Sequence, residues 1–312
     1  MVSTLEMREV LSKTLEDLME KDKKIILIDA DLASANGTLS LRKKFPDRAL
    51  DIGISEQNMA SVAAGMSAYG LKPFISTFTA FASRRICDQI AISMLYAKQN
   101  VKIIATDSGI SSQLNGGTHM SVEDIGVLRS IPNIVIYEAV DSMQLLKALP
   151  VIADYNGVVY IRMVRKDTPP VFDDNYQFDL FKGDLLKEGS DVTIIASGIM
   201  VNEALEASKI LAEENINAEV INIHTIKPID RECIISSAKK TGSVVTCENH
   251  NIIGGLYSAV CEVLSDECPV PIKAIGIKDH FGEVGKLPFL MNKYEMTKEY
   301  IVSAVKEVLE LK

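Results

Sequence analysis

Short apolar runs alternate with longer helical stretches along almost the whole chain. The first run, residues 25–28, follows a stretch with helical periodicity from Leu5 to Met19 and is followed by Asp29-Ala-Asp31. Strands that alternate with helices run parallel, because each crossover helix returns the chain to the same end of the sheet. The sequence therefore predicts an α/β fold with a parallel sheet covered by helices on both faces.

This alternation is interrupted once, which divides the chain. Residues 166–170 read Lys-Asp-Thr-Pro-Pro, and a polar and aromatic stretch without a clear period follows. We therefore expect two parallel-sheet α/β domains, at 1–168 and 190–312, joined by a surface linker at 169–189. A chain of 312 residues is long enough for two ordinary cores.

The element pattern can be placed along both halves. Helices are expected at 56–69 and, as one continuous element, at about 79–97. The predicted strands lie at 25–28, 49–52, 73–76, 101–106, 134–137, 158–163, 192–196, 218–223, 244–247 and 272–275.

Composition excludes several kinds of partner. The formal net charge of −9 argues against nucleic acid, because phosphate backbones are bound by clustered Lys and Arg. There is no run of about 18 uninterrupted apolar residues, so we expect no membrane span. The segment Met1–Val10 lacks the apolar core of a signal peptide, which predicts a soluble cytoplasmic protein. The five cysteines form no C-x-x-C pair and indicate reduced thiols rather than a metal site.

Glu56 is the residue most suggestive of chemistry. It lies in Asp51-Ile-Gly-Ile-Ser-Glu-Gln-Asn-Met59, between a predicted strand and a helix of small residues. The carboxyl ends of parallel strands are where open α/β folds bind ligands, and a carboxylate shielded there favours proton sharing with a ring nitrogen. Glu56 could equally be an acidic residue that stabilises a helix N-terminus, and spacing alone leaves both readings open.

Two phenylalanines follow at helical spacing. Phe78 and Phe81 lie three residues apart and so share one face at the start of a helix. Such a pair is either part of the core or a platform for a flat heterocycle. Arg84, one turn further on, either borders that platform or is an exposed ion-pairing residue.

The strings G-I-S-E-Q-N-M and S-T-F-T-A-F-A-S-R, residues 53–59 and 76–84, together resemble the pyrimidine-binding half of transketolase. The resemblance implies thiamine diphosphate as coenzyme. Glu56 would bond N1′ of the aminopyrimidine and favour the imino form of its 4′-amino group. Phe78 and Phe81 would stack on the ring, and Arg84 would border the pocket.

The same resemblance implies residues for the rest of the coenzyme and for the substrate. Asp31 matches the aspartate that faces the thiazolium in the family's S-A-D-L-T-P-S-N segment. Ala35 stands where the family has a phosphate-binding serine, with Ser34 next to it. Arg8 and Arg165 match the phosphate clamp by position, and paired guanidinium hydrogen bonds suit a terminal oxyanion. From the residues alone, both arginines could also be solvated surface groups.

The loop from Ala105 to Met120 aligns without a gap to the family's T-H-D-S-I-G-V-G-E-D-G-P-T-H. His119 falls on the final histidine, a ligand of a substrate hydroxyl and a candidate proton shuttle. Asp107 falls where transketolases have histidine, and Asn115 where they have the aspartate that contacts the donor. The resemblance therefore implies intact coenzyme binding with altered donor specificity.

The second half resembles the C-terminal domain that transketolases share with deoxyxylulose-phosphate synthases and 2-oxo acid dehydrogenase β subunits. The matching strings are Ser197-Gly198, Lys227-Pro-Ile-Asp230, Glu248-Asn-His250 and Gly254-Gly255. The chain has no Gly-Asp-Gly motif for a diphosphate-bound metal. The resemblance therefore implies a partner, the N-terminal transketolase subunit, that holds Mg²⁺ (or Ca²⁺), in an α2β2 heterotetramer.

We therefore expect the C-terminal subunit of a split transketolase, which moves a two-carbon ketol unit from a ketose to an aldose phosphate. The departures at Asp107, Asn115 and Ala35 suggest an unusual donor, such as a deoxy, branched or sulfonated ketose. Two alternatives remain open: the β subunit of a 2-oxo acid dehydrogenase, and a non-catalytic scaffolding subunit.

Overall fold

The structure, a computed structural model, describes residues 5–312. Its strands are β1 (Ile25–Asp29), β2 (Ala49–Asp51), β3 (Lys72–Phe78), β4 (Lys102–Thr106), β5 (Val135–Glu138), β6 (Val159–Arg162), β7 (Asp184–Lys187), β8 (Val192–Ala196), β9 (Ala218–Asn222), β10 (Thr225–Lys227), β11 (Val244–Asn251) and β12 (Ile272–Ile277).

The α-helices follow the same alternation. They are α1 (Met7–Lys21), α2 (Ala33–Asn36), α3 (Leu39–Lys44), α4 (Glu56–Ala68), α5 (Thr79–Ala82), α6 (Asp124–Arg129), α7 (Ser142–Asp154), α8 (Met200–Glu213), α9 (Arg231–Thr241), α10 (Leu256–Glu267), α11 (Leu287–Lys293) and α12 (Lys298–Leu309). Tighter 3₁₀ segments occur at Arg84–Ile86 and Gly109–Asn115, and a π-helix at Gln89–Tyr96.

The first sheet has seven strands in the order β10-β5-β6-β4-β3-β1-β2. Six of them are mutually parallel, whereas β10 comes from the second half of the chain and pairs antiparallel with β5. The parallel strands β1 and β4 are buried at every position, as continuous apolar runs covered on both faces require. The carboxyl ends of β1, β2, β3 and β4 therefore meet at one edge.

The second sheet has five strands in the order β12-β11-β8-β9-β7. The strand β7 is antiparallel to β9, and the other strands are parallel. Two α/β units follow one another along the chain, so the predicted fold class is confirmed. Each sheet carries an antiparallel edge strand that the sequence pattern did not predict.

The segment expected to be a surface linker, 169–189, contains part of this second sheet. Its residues 184–187 form β7, so the second sheet begins before the predicted boundary at 190. The rest of the segment packs on the first domain, where Phe178 meets Tyr137 edge to face at 5.5 Å, and on itself, where Phe172 stacks on Tyr176 at 3.8 Å.

The single long helix expected at about 79–97 is wrong. The chain forms α5, a 3₁₀ turn and a π-helix instead, and the break lies at Ser83. There the backbone leaves helical geometry (φ −115°, ψ −83°), and the hydroxyl donates to the carbonyl of Thr79 at 2.8 Å. A serine that bonds its own backbone competes with helix continuation, and the break redirects the arginines that follow.

The two units meet at a buried ionic cluster. The side chain of Arg162, at the end of β6, is fully buried between Asp124 and Glu138. Its Nε lies 2.8 Å from Asp124 Oδ2, and its Nη2 donates to the carbonyl oxygen of Asn249 in the second unit at 2.8 Å. The hydroxyl of Ser197, also in the second unit, donates to Glu138 at 2.7 Å.

Candidate active site

Glu56 begins helix α4 directly after a tight turn at the end of β2. Gly53 supplies the turn with a φ of +73°, and Asp51 closes it by accepting the N–H of Gly53 at 2.9 Å. Asp51 also accepts the N–H of Asp31 at 3.0 Å, so one carboxylate ties the Asp31 loop to the Glu56 turn. Glu56 itself is only 3% exposed.

Phe78 and Phe81 form an aromatic wall beside this carboxyl group. Phe78 ends β3 and Phe81 lies in α5, with ring centroids 6.0 Å apart and planes inclined by 34°. The ring of His119 meets both edge to face, at 6.2 Å from Phe78 and 5.4 Å from Phe81. His119 therefore joins the loop of residues 107–119, the predicted substrate loop, to the aromatic pair.

Arg85 takes the place that the sequence pattern predicted for Arg84. Arg85 Nη1 donates to Glu56 Oε1 at 2.7 Å, and its guanidinium carbon lies 4.0 Å from the centroid of Phe81. Arg84 instead pairs with Glu123 at 3.0 Å, away from the aromatic wall. The prediction that Arg84 borders the pocket is corrected to Arg85, because the helix break at Ser83 shifts which side chain faces inward.

These groups enclose a cavity of about 390 Å³. Its lining comes from the ends of β1 and β3, the α4 turn and the substrate loop: Ala30, Asp31, Leu32, Ile54, Glu56, Phe78, Phe81, Arg85, Thr118 and His119. The volume falls within the range of roughly 300–1,000 Å³ typical of small-molecule sites. Of the predicted coenzyme residues, the structure brings Glu56, Phe78, Phe81 and Asp31 together here.

Two arginines meet beside the cavity. Arg8 Nη1 and Arg165 Nη1 lie 3.5 Å and 3.3 Å from the same acceptor, the carbonyl oxygen of Ala35. The guanidinium of Arg165 also lies 5.0 Å from the centroid of Phe78, so this basic end is continuous with the aromatic wall. Ser34 is exposed on α2 and lies outside the cavity lining, next to Ala35.

Asp107 is bound to this arginine pair. Its Oδ1 accepts Arg165 Nε at 2.6 Å, and its Oδ2 accepts the amide of Asn115 at 3.3 Å. Burial raises the pKa of the Asp107 carboxyl above its ordinary value, and Arg165 opposes that rise. The residues predicted to read the donor therefore form one connected group with Arg165.

A third buried acid directly precedes the cavity-lining residues Ala30 and Asp31. Asp29 ends β1, and burial raises its pKa to about 7, although the hydroxyl of Thr38 donates to its Oδ2 at 3.0 Å. No sequence motif assigned a role to this residue or to Arg85. A strand-end carboxylate and a second consecutive arginine are weak signals on their own.

The described part of the chain has neither a membrane-spanning helix nor a metal-binding cluster. Within residues 5–312, none of the helices is long and apolar enough to cross a membrane. The same residues contain no group of three or more His, Cys, Asp or Glu side chains arranged to hold a metal ion.

Two sequence families match the chain. Residues 3–170 match the transketolase pyrimidine binding domain, and residues 182–301 match the transketolase C-terminal domain.

Individual proteins match over nearly their whole length. The 6-deoxy-6-sulfo-D-fructose transketolase subunit SqwH of Clostridium sp. (strain MSTE9) is 48% identical over 306 residues, which are 98% of this chain and 95% of that protein. An apulose-4-phosphate transketolase subunit of Phocaeicola vulgatus is 34% identical over 307 residues, covering 97% of each. A solved structure described as a split gene transketolase, inactive beta4 tetramer, has a TM-score of 0.90 at 43% identity and covers 99% of each chain.

Proposed function

This chain belongs to the transketolase family, and we propose that it is the C-terminal subunit of a split, thiamine diphosphate-dependent transketolase. Both family matches and the two subunit relatives support this assignment. The N-terminal transketolase subunit would complete the site and hold the diphosphate with its Mg²⁺ (or Ca²⁺), in an α2β2 assembly. Together the two polypeptides would transfer a two-carbon ketol unit from a ketose to an aldose phosphate.

The cavity fits the aminopyrimidine end of the coenzyme. A flat heterocycle needs an aromatic face and a shielded carboxyl group at its edge, which Phe78, Phe81 and the buried Glu56 supply. Asp31 lines the same cavity and would face the thiazolium. When bound, the coenzyme supplies the carbanion stabilisation that ketol transfer requires. The chain's own part is to orient the ring, exclude water and hold a proton at Glu56.

His119 is proposed to contact a hydroxyl group of the donor. The hydroxyl of Thr118 lies 2.9 Å from His119 Nδ1, so Nε2 is the ring nitrogen left for a substrate. Contact with both phenyl rings keeps the imidazole at the cavity wall. A histidine held there can move a proton to or from a substrate oxygen during bond cleavage.

The balance of charges around Arg8 and Arg165, at the basic end of the site, supports the choice of donor. Three cations stand there, Arg8, Arg165 and Lys166. Two carboxylates pair with them: Glu6 lies 2.6 Å from Arg8 and 2.7 Å from Lys166, and Asp107 lies 2.6 Å from Arg165. The excess is a single positive charge.

On charge alone, a terminal group with one negative charge suits this balance better than a phosphate monoester, so phosphate substrates, the aldose acceptor included, should bind this end more weakly. Phosphate monoesters carry roughly −1.5 to −2 at neutral pH, and the second charge would find no free cation among these residues. A sulfonate carries one charge on three acceptor oxygens and matches the arginine pair. We therefore propose a sulfonated ketose as donor, in agreement with the substrate in the name of the Clostridium relative.

The test uses this chain purified with its N-terminal partner subunit and thiamine diphosphate with Mg²⁺. A panel of 6-deoxy-6-sulfofructose, fructose 6-phosphate, xylulose 5-phosphate and pyruvate is assayed with an aldose phosphate acceptor. We expect the sulfonated ketose to give the highest kcat/KM. Glu56→Gln should lower kcat by about 10²- to 10⁴-fold, the usual share of a placed proton donor.

Several results would contradict parts of this proposal. A phosphate ketose preferred by a wide margin would refute the charge argument for the donor. Decarboxylation of pyruvate without transfer to the aldose phosphate, and no turnover of the ketoses, would favour the 2-oxo acid dehydrogenase alternative. Full activity in the Glu56→Gln complex would indicate a scaffolding role.

A further inference from the structure

The loop of residues 107–119 is held from its far side by the second domain. Asn249, on β11, is fully buried, and its Nδ2 donates to the carbonyl oxygen of Ser108 at 3.0 Å. In return, Ile110 N donates to Asn249 Oδ1 at 3.0 Å. One side chain thus binds two backbone groups of the loop, immediately after Asp107.

Gly109 allows this close approach. Its φ is +52°, and a Cβ atom there would lie 2.2 Å from Asn249 Oδ1. Real Cβ atoms do not come so near, so any other residue would force the loop and Asn249 apart. The backbone of the loop is therefore fitted against this asparagine.

Asn249, which binds the loop, is itself held in place. Arg162 Nη2 donates to the carbonyl oxygen of Asn249 at 2.8 Å, and Arg162 is neutralised by Asp124 and Glu138. All three ionic side chains are almost completely buried. The backbone contact to Arg162 thus fixes Asn249 independently of its contacts to the loop.

Further contacts extend the support along the loop. Leu287 N donates to the side-chain oxygen of Gln113 at 3.3 Å. The hydroxyl of Ser112 lies 3.2 Å from the carbonyl oxygen of Asp107 and 3.0 Å from that of His119, which links the two ends of the loop. A displacement at Asn249 would therefore move both Asp107 and His119, the two side chains that are proposed to face the donor.

We propose that Asn249 is a positioning residue for the donor substrate, through which the C-terminal domain sets the place of Asp107 and His119 above the cavity. The proposal rests on the proposed transketolase function, in which this loop contacts the donor. The proposed coenzyme contacts Glu56 and Phe78 lie on α4 and β3, which Asn249 does not contact, so they depend on Asn249 less directly than the loop does.

The experiment compares Asn249→Ala with Asn222→Ala in the complex with the N-terminal partner. Asn222 is a matched control, because it is equally buried and lies at the end of β9, a strand of the same sheet as β11. Its side chain donates to Asp184 at 3.0 Å rather than to the loop. Gln113→Ala is a third variant at a half-buried position, and it tests the same support should Asn249→Ala fail to fold. The readouts are donor KM and kcat, coenzyme Kd by calorimetry, and hydrogen exchange of the 107–119 peptide.

For Asn249→Ala we expect donor KM to rise about tenfold and kcat to fall by a smaller factor, because two hydrogen bonds that place the loop, and with it His119, are lost. Gln113→Ala should raise KM about twofold to threefold, since one bond is lost. Coenzyme Kd should change by a smaller factor than donor KM in both. Loop exchange should accelerate in both, and neither KM nor loop exchange should change in Asn222→Ala.

The inference fails if the wild-type complex is active but both loop-support variants keep the wild-type KM and loop exchange. It also fails if Asn222→Ala raises KM as much as Asn249→Ala, because that would indicate general loosening of the second sheet. If the wild-type complex turns over no ketose although it binds coenzyme, the proposed function itself fails, and the donor role of Asn249 with it.

Discussion

Replacing Arg162 by Met should destabilise the protein more than any surface charge substitution. The guanidinium is completely buried and forms ion pairs with Asp124 and Glu138. Removing one partner of a buried pair typically costs about 3–5 kcal/mol, because the remaining charge stays unpaired in the interior. Tyr160 and Ser197 still donate to the two carboxylates, so we expect about 4 kcal/mol in total rather than the sum of two full penalties.

The free energy of unfolding is measured by titration with guanidinium chloride. Unfolding is monitored by far-ultraviolet circular dichroism, since the chain has no tryptophan. Lys278→Met is the control: its pair with Glu295 has side chains 55% and 51% exposed, and such pairs contribute about 0–1 kcal/mol. A loss of about 4 kcal/mol is a large share of the roughly 5–15 kcal/mol that stabilises a typical domain.

A triple variant separates charge from packing. If the cost arises from orphaned carboxylates, replacing Asp124 and Glu138 by Leu and Met together with Arg162→Met should recover part of the lost stability. The reasoning is refuted if Arg162→Met unfolds at the wild-type midpoint, or if the triple variant is less stable than the single one.

The remaining predictions concern coenzyme binding and pH. Arg85→Met should weaken coenzyme binding to the reconstituted complex about fivefold by calorimetry, because a partly exposed charge-assisted hydrogen bond to Glu56 is lost. Arg84→Met should not, and equal effects would contradict the assignment. Burial lowers the pKa of His224 from 6.5 in the unfolded chain to about 4 in the folded protein. The neutral imidazole therefore contributes stability that is fully present above pH 6.5. That contribution, up to about 3 kcal/mol, is lost as pH falls through 4. His224→Asn should therefore flatten the decline of unfolding free energy between pH 6.5 and 4, and an unchanged slope would exclude His224 as its source.

Sequence periodicity predicted the parallel strands because a buried strand needs an unbroken apolar run. The edge strand β10 left no such signal. It is only three residues long, Thr225–Lys227, and its partner β5 lies in the other half of the chain. Pairing between distant segments depends on tertiary packing, which a local pattern does not contain.

The site was predictable where a motif fixes its own geometry. Glu56 follows directly from the strand, glycine turn and helix that carry it. Arg84 was misplaced because helical spacing extrapolates through Ser83, where the hydroxyl bonds Thr79 and the helix stops. Asn249 had only its place in Glu248-Asn-His250 as a signal, and its role depends on a loop about 140 residues earlier in the chain.

Under the proposed function, coenzyme binding and donor recognition would depend on different parts of the structure. The proposed ring contacts are Glu56, at the start of α4, and Phe78, at the end of β3, and both lie in the first domain. The donor loop is fitted between that sheet and Asn249 of the second domain. Changes at Asp107 or Asn115 can therefore alter the charge and shape presented to a ketose while the contacts to the coenzyme ring stay in place. The departures from the transketolase pattern lie in this loop and at Ala35, where we expect such changes to alter the donor and leave the Glu56 carboxyl group undisturbed.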